Sequence, residues 1–248
     1  MLATPARVSA PTRGRPLPIG DHFFAHSFRA RDFGGLMDPL LMVDHFWMRA
    51  DTFGAHRHEG ISALTYVFPD SASAHHNIDS LGNDLPIEPG DLHWFAAGHG
   101  AEHHEFPATK NATVHALQVF VDLPAALKDT TPFALHLGAR DVPLIEADGV
   151  RVRVVAGTLN GVSSPLRTPQ PFWLFDGHLE ADAAIVIPMP IGWGAWLYAV
   201  DGGIRFGDAT LAGGCAVALR NDLSTLSIAG AEGGHFVLMA GMPQHGQG

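Results

Sequence analysis

Apolar and polar residues alternate in short stretches along most of the chain, and glycine, proline, asparagine and aspartate separate these stretches. Alternation with a period of two is typical of β-strands with one buried face. Clear examples are TVHALQVFVDL at residues 113–123 and, in the second half, residues 150–155, 193–200 and 211–219. The best helix signal is PAALKDTTP at residues 124–132, which is bounded by prolines. The chain is therefore predicted to be all-β with one short helix.

The same strand pattern occurs in both halves of the sequence, which indicates two tandem β-barrels or a double sandwich, produced by an internal duplication. We expect residues 1–20 to be a flexible N-terminal arm, because they are rich in proline, arginine and small residues. This segment also lacks the apolar centre of a secretion signal. Residues 21–135 are predicted to form the first barrel and residues 136–248 the second.

Composition and charge narrow the classes of function. Hydrophobic residues make up 46% of the 248 residues and charged residues 16%, which is typical of a globular protein with a substantial core. The net charge of −10, without a basic run beyond the N-terminal arm, argues against direct binding to nucleic acid or to an anionic membrane. No apolar run approaches the ~20 residues of a membrane span. The single cysteine excludes an intrachain disulfide, so a cytoplasmic location is expected.

Two stretches carry the candidate chemistry. In an extended segment, His56 and His58 point to the same side because side chains alternate with a period of two. The same rule places His103 and Glu105 on one face of a second segment. If these strands are neighbours in the first barrel, three imidazoles and one carboxylate converge. That donor set suits a divalent transition metal, so the sequence predicts a mononuclear metal site.

Chance is the competing explanation for these pairs, because the chain contains 16 histidines. The turn signal Pro89-Gly90-Asp91 and the flexible Gly98 and Gly100 favour the metal site, since they place the second pair at the start of a strand. The second barrel is expected to lack a metal site, with His178 and His235 standing alone. Other histidines near the two stretches are interpreted as lying mostly on the rim or behind the ligands: His75, His76, His93, His99, His104 and His115.

Several motifs resemble those of the pirin family, a branch of the cupin superfamily whose members contain two β-barrels, an architecture called a bicupin. These are DPLLMVDHF at residues 38–46, H-x-H at 56–58 followed by Gly60, DSLGN at 79–83, PGDLHW at 89–94 and AGHGAEHHE at 97–105. The resemblance implies metal-ligand roles for His56, His58, His103 and Glu105, with iron(II) as the usual metal. Zinc, nickel, manganese and copper remain alternatives for this set of donors.

Pirins include flavonol-cleaving dioxygenases similar to quercetin 2,3-dioxygenase, and the resemblance implies such an activity on a small aromatic substrate. In that hypothesis Glu105 also serves as general base, and His99 and His104 are candidates for hydrogen bonding to the ligands. A non-enzymatic, redox-sensing regulatory protein that docks a protein partner is the alternative. A sugar-isomerase-like cupin is a third, because a similar metal site can polarise a carbonyl.

The sequence departs from the usual pirin pattern next to the predicted ligands. It contains HRHEGIS where relatives commonly have HPHRGFE, and GHGAEHHE where GRGIxHSE is usual. These changes leave the four predicted ligands in place. Because pocket shape and polarity determine which substrates are accepted, they bear on substrate identity.

Overall fold

A computed structural model of the chain describes residues 7–220 and 225–245, and its regular structure is almost entirely β-strand. From the N-terminus the strands are β1 (Arg7–Val8), β2 (Thr12–Arg13), β3 (Arg15–Ile19), β4 (Phe23–Arg29), β5 (Leu40–Met48), β6 (His56–His58), β7 (Ile61–Val67), β8 (His75–Asp79), β9 (Asp84–Ile87), β10 (Leu92–Ala96), β11 (Ala101–Pro107) and β12 (Val114–Asp122). After them come β13 (Phe133–Leu137), β14 (Leu144–Ala147), β15 (Val150–Ala156), β16 (Thr158–Leu159), β17 (Val162–Ser163), β18 (Phe172–Leu179), β19 (Ala184–Pro188), β20 (Gly194–Phe206), β21 (Ala209–Ala212), β22 (Cys215–Arg220) and β23 (Thr225–Gly241). The prediction of an all-β fold is confirmed.

Helical structure in the described residues is limited to three short segments. The predicted helix after β12 is present, but α1 (Ala125–Lys128) is only a single turn. Two 3-10 turns, Ala30–Phe33 and Ala139–Asp141, complete the set. Over the described part of the chain, no helix is long and apolar enough to cross a membrane.

The described chain divides into two compact units. We call Arg15–Arg29 with Leu40–Asp141 the N-terminal unit. The C-terminal unit consists of residues 7–14, Ala30–Pro39 and the described residues from Val142 onward. The sequence analysis had assumed contiguous halves, whereas the first half of the chain contributes two segments to the C-terminal unit.

Strands β1 to β3 correct the prediction of a flexible arm over residues 1–20. Residues 7–8 and 12–13 pair with β22, and β3 pairs with β4. The backbone N–H and C=O groups of these strands therefore form hydrogen bonds within sheets. A flexible arm would leave the same groups to water. Residues 1–6 of the predicted arm lie outside the described residues.

The N-terminal unit contains two sheets. One has seven strands in the order β13-β10-β7-β12-β5-β4-β3, and the other has four in the order β6-β11-β8-β9. These two sheets stay separate instead of closing into one hydrogen-bonded barrel, which is the arrangement of a jelly roll. Alternate residues of the strands face inward, and one inward cluster is wholly apolar: Phe23, Ala25, Phe46, Met48, Val67, Ile87, Val114 and Ala116.

The turn between β9 and β10 fixes the entry to the strand that precedes the predicted site. Gly90 has a φ of 90°, a conformation that glycine adopts without strain. The carboxylate of Asp91 accepts hydrogen bonds from the backbone N–H groups of Glu88 at 3.0 Å and Ala139 at 2.6 Å. Its Oδ2 also lies 3.1 Å from Nε2 of His136. The turn predicted at Pro89-Gly90-Asp91 is confirmed, and Asp91 connects it to the segment after β13.

The C-terminal unit is built on a ten-stranded sheet whose principal order is β1-β22-β20-β23-β18-β15-β14. Its long strand β23 pairs with β18, β19 and β20 and therefore holds the sheet together. The sequence analysis did not predict β23, because the glycine-rich residues 230–234 interrupt the alternating pattern. The two units together confirm the predicted tandem, bicupin-type fold.

Candidate metal centre and adjoining cavity

Neighbouring strands in the N-terminal unit bring the predicted ligand pairs together. Strands β6 and β11 are antiparallel, and His56 lies directly opposite His103. The bend before β11 depends on Gly98, which has a φ of 48° and whose Cβ, if present, would lie 2.1 Å from the carbonyl oxygen of Thr130. Only glycine fits this position. The bend that the sequence indicated therefore sets the register that places His103 beside His56 and His58.

The imidazoles of His56, His58 and His103 form a compact cluster. One ring nitrogen from each lies within 4.8 Å of the other two, and the Nε2 atoms of His58 and His103 are 3.1 Å apart. Nδ1 of His56 lies 3.0 Å from the carbonyl oxygen of Gly54, to which it donates. This hydrogen bond leaves Nε2 of His56 with a free lone pair. The ring of His103 stacks on Phe95 at 4.9 Å, which fixes its orientation.

Burial keeps two of these imidazoles, His58 and His103, in the form that binds metals. Burial, followed by the charges of His103 and His56, lowers the pKa of His58 from its usual value to about 4. Burial likewise lowers the pKa of His103. Neutral imidazoles offer lone pairs, and ring nitrogens of all three histidines lie close enough together to fit a divalent transition ion. The donor chemistry therefore suits the predicted metal.

Glu105 lies beside this cluster but is not one of the three grouped donors. Its Oε1 accepts a hydrogen bond from the hydroxyl of Thr65 at 2.7 Å, and its Oε2 lies 3.8 Å from Nδ1 of His103. Burial acts to raise the pKa of Glu105, but the nearby His103 and His75 and the Thr65 hydrogen bond outweigh it and hold the pKa below the usual value. The carboxylate is therefore ionised, and its role as a metal ligand stays a prediction.

A cavity of about 230 Å³ adjoins the cluster inside the N-terminal unit. Its wall includes His56, Glu105 and Gln118 among mostly apolar side chains. Arg29 and Asp44 also line it and form an ion pair at 2.7 Å. The apolar and aromatic part of the wall consists of Leu17, Phe23, Met42, Phe46, Met48, Phe53 and Phe120. A small aromatic molecule fits this combination of apolar surface and few polar groups.

Two of the histidines near the ligand stretches lie in the interior of the unit. The sequence left open whether His75 and His93 lie on the rim or behind the ligands. Both are buried, so neither lies on the rim, and burial lowers the pKa of each. Neither ring nitrogen of His75 has a hydrogen-bond partner within the described residues, although the side chain lines the cavity. Parity along β8 could have revealed this inward face, because Asn77 and Asp79 share it and are also buried.

The comparisons with known proteins agree with this architecture. Residues 19–121 match the sequence model of the family described as Pirin. Pirin from Rattus norvegicus is 31% identical over 239 residues, covering 87% of this chain and 79% of the rat protein. The chain belongs to the pirin family.

Solved structures extend the likeness of this pirin-family chain along its whole length. A structure of quercetin 2,3-dioxygenase from Acinetobacter baumannii aligns with a TM-score of 0.86 and 23% identity, over 98% of this chain and 90% of the other. A bacterial pirin from Escherichia coli in complex with nickel(II) aligns with a TM-score of 0.74 and 19% identity, over 97% and 100%. At these identities the likeness establishes the fold.

His99 and His104, which depart from the usual pirin pattern, were predicted to hydrogen-bond to the metal ligands. In the structure their described contacts are with other residues. His99 is exposed, and its carbonyl oxygen accepts a hydrogen bond from Arg57 at 2.9 Å. Nε2 of His104 lies 2.7 Å from Oδ2 of Asp51, because strand parity turns this side chain away from His103. Neither residue hydrogen-bonds to the three-imidazole cluster through the contacts described.

A second cluster of potential ligands lies in the C-terminal unit of this pirin-family chain. Asp176, His178 and His235 each place one donor atom within 4.8 Å of the other two. The expectation that His178 and His235 stand alone is therefore wrong. Pairing of β18 with β23 sets them opposite each other, and the sequence analysis missed this because it did not predict β23.

Proposed function

We propose that this chain is an iron(II)-dependent dioxygenase that opens a ring of a flavonol of the quercetin type or of a related enolic aromatic compound. The observation that carries the proposal is the cavity of about 230 Å³ whose wall includes both His56 and Glu105. An internal pocket beside a candidate metal centre favours catalysis over a redox-sensing regulator, which needs mainly a docking surface. The fold shared with a quercetin 2,3-dioxygenase supports the same choice.

His56, His58 and His103 would hold the metal through one ring nitrogen each, with Glu105 as the predicted fourth ligand. Bound iron(II) would supply the redox chemistry and open coordination positions that dioxygen and an enolic oxygen require. Zinc, nickel, manganese and copper suit the same donors, so metal identity is part of the test.

Glu105 is the group that we assign to proton transfer. Its carboxylate is buried, ionised and 7% exposed, and the Thr65 hydroxyl orients it from one side. The other oxygen, Oε2, is the one that would accept the proton of a substrate hydroxyl in the cavity, a role that it can perform only when it is not bound to the metal. Loss of that proton makes the enol electron-rich, which is the form that reacts with an oxidant.

The cavity walls determine which substrates fit. Phe46 and Phe120 offer aromatic surface, and His58 packs edge-on against Phe120 with ring centroids 4.9 Å apart. Ligand pockets commonly measure about 300–1,000 Å³, so this smaller cavity suits one compact planar molecule. Apolar walls also exclude water from the reacting atoms. His75 offers two ring nitrogens to a polar group of the substrate.

Oxygen consumption tests the proposal. Metal-free protein is loaded with iron(II) under anaerobic conditions, mixed with quercetin and exposed to oxygen, and the ring-opened product is quantified. Parallel loading with nickel and zinc identifies the metal that supports turnover. We expect oxygen uptake coupled to product with the iron form.

The matched control is the His103→Ala variant, which removes one buried imidazole of the cluster. Uptake by the native chain that does not exceed that of His103→Ala would defeat the proposed activity on quercetin. Smaller catechols and enols, assayed in the same way, show whether the cavity selects a related substrate.

A further inference from the structure

The second cluster lies on one face of the sheet in the C-terminal unit. Asp176 and His178 are two residues apart on β18, so their side chains share a face, and His235 is paired with His178 on β23. The adjacent residues Phe175 and Phe236 point the other way, into the hydrophobic core. The three potential ligands therefore lie on the side of the sheet opposite to that core.

The three side chains are close enough to share one ion. Nε2 of His235 is hydrogen-bonded to Oδ1 of Asp176, and the rings of His178 and His235 stack with centroids 4.1 Å apart. Metal bonds to nitrogen and oxygen are about 2.0–2.2 Å long, so an ion between Asp176 and His235 needs their donor atoms about 3 Å apart. Metal binding would replace the proton that this pair shares and release it to solvent.

Two of the three potential ligands are buried and the third is exposed, a combination that suits a metal-binding site. Asp176 is 1% exposed and His235 is 7% exposed, so two donors are held in place by packing. His178 is exposed and borders a surface groove of about 360 Å³, which gives an ion a path from solvent. Because His178 is exposed, its ring can tilt from the stacked position to direct a nitrogen at the ion.

The charges around the cluster act on a cation in both directions. On β15, Arg151 lies opposite His178 and Arg153 lies opposite Asp176, so both place positive charge beside the cluster. Nε of Arg151 is 3.5 Å from a carboxylate oxygen of Glu146, which offsets part of that charge. On the other side, the carboxylate of Asp201 accepts the backbone N–H of His235 at 3.3 Å and adds negative charge. Asp176 itself is an anionic donor, so the cluster combines one carboxylate with two imidazoles.

We propose that Asp176, His178 and His235 form a second metal site, which binds a zinc-type divalent ion in the C-terminal unit. Two imidazoles and one carboxylate are a common ligand set for Zn²⁺, with a water molecule as the fourth ligand. This site is independent of the proposed dioxygenase, because its residues belong to a different unit.

Zinc counting on the full chain tests this site. Metal-stripped protein is equilibrated with Zn²⁺ and passed through a desalting column, and bound zinc is measured by elemental analysis. We expect His178→Ala to retain about one zinc ion per chain fewer than the native protein. Asp176→Asn, which keeps the size of the side chain but removes its charge, should lose the same ion or bind it more weakly.

Two further variants keep the result interpretable. His22→Ala removes a partly exposed histidine outside both clusters and should leave the zinc count unchanged. His58→Ala breaks the first cluster, and we expect it to retain the ion of the second cluster, which the His58→Ala/His178→Ala double variant loses. Equal zinc counts for the native chain and His178→Ala would overturn the proposal, as would a His58→Ala variant that binds no zinc.

Discussion

The two histidine clusters are built by the same strand geometry but sit in different surroundings. In each, a pair of residues spaced i and i+2 shares a face of one strand, and a histidine lies opposite on an antiparallel neighbour. His56, His58 and His103 are inside a jelly roll next to a cavity of about 230 Å³. Asp176, His178 and His235 lie outside the core of their unit and beside an open groove.

The difference in surroundings bears on function, because binding an ion and catalysing a reaction with it have different requirements. Both clusters place three donor atoms in reach of one ion, and metal binding requires little more. Catalysis also requires a place where substrate is enclosed and water is excluded, and a base within reach. The N-terminal cluster has the cavity and Glu105, whereas the C-terminal cluster has only a groove. We therefore assign oxygen chemistry to the first cluster alone.

The largest expected effect comes from Glu105→Gln, which keeps the size of the side chain and an oxygen for the Thr65 hydrogen bond. The amide cannot accept the substrate proton, so we expect quercetin turnover to fall roughly 100- to 10,000-fold. Turnover and bound iron are measured on the same sample. Thr65→Val, which removes only the orienting hydroxyl, serves as the comparison and should lose less.

Iron content distinguishes the two roles predicted for Glu105. A full complement of iron with lost turnover supports proton transfer, whereas reduced iron supports ligation. Native turnover in Glu105→Gln would contradict both roles.

Asp91→Asn should destabilise the N-terminal unit by about 1–3 kcal/mol, because a buried amide cannot replace the carboxylate that accepts two backbone N–H groups. Burial acts to raise the pKa of Asp91, but its hydrogen bonds from His136, Ala139 and Glu88 lower it overall. A lowered pKa stabilises the fold above the unfolded-state value of about 3.9, and this stability is lost as the pH falls through the folded value. Urea denaturation measures the difference.

Urea denaturation repeated at several pH values provides the control for this variant. The difference in the free energy of unfolding between the native chain and Asp91→Asn should have its full size at neutral pH. It should become smaller in acid, at pH values below the usual pKa range of aspartate. A gap that is constant with pH would mean that the ionised carboxylate is not responsible. Zinc bound at the C-terminal cluster should be unaffected, since Asp91 belongs to the other unit.

The strand pattern predicted much of the fold and most of the first cluster. His56, His58 and His103 were found from parity alone, because each pair lies within a single strand and needs no knowledge of pairing. For His75 the sequence did not distinguish the rim from the interior, since its environment depends on which sheet covers β8. The second cluster was missed because His235 lies beside His178 only through the pairing of β18 with β23. The sequence did not predict β23, since its glycines interrupt the alternating pattern. Long-range pairing is the information that a local pattern lacks.

Gly177→Ala tests whether packing beneath the second cluster holds its ligands. A Cβ at Gly177 would lie 2.4 Å from ring atoms of Phe236, which is completely buried. Because the ring has to move, we expect a loss of about 1–3 kcal/mol in the free energy of unfolding and weaker zinc binding by the C-terminal cluster. Urea denaturation and zinc titration provide the two measurements.

Gly203→Ala is the matched control in the same unit, since a Cβ there would make only ordinary contact with Ala231 at 3.5 Å. Equal stability of Gly177→Ala and Gly203→Ala would show that the core beneath Asp176 and His178 is loosely packed. Quercetin turnover should be the same in both variants, because the two glycines lie in the unit without the cavity.

The smallest expected effect is that of His75→Phe on the free energy of unfolding. Together with KM, the sign of this change distinguishes a substrate-binding role of His75 from a structural one. A buried imidazole without hydrogen bonds costs stability, so His75→Phe should raise the free energy of unfolding by about 1 kcal/mol. If the ring nitrogens bind a polar group of the substrate, the same change should raise KM about tenfold and leave kcat nearly unchanged. His76→Phe is the control on the opposite face of β8, where His76 contacts Asp84. A stabilised variant with unchanged KM would remove His75 from the substrate site, whereas a destabilised one would show that it supports the interior of the jelly roll.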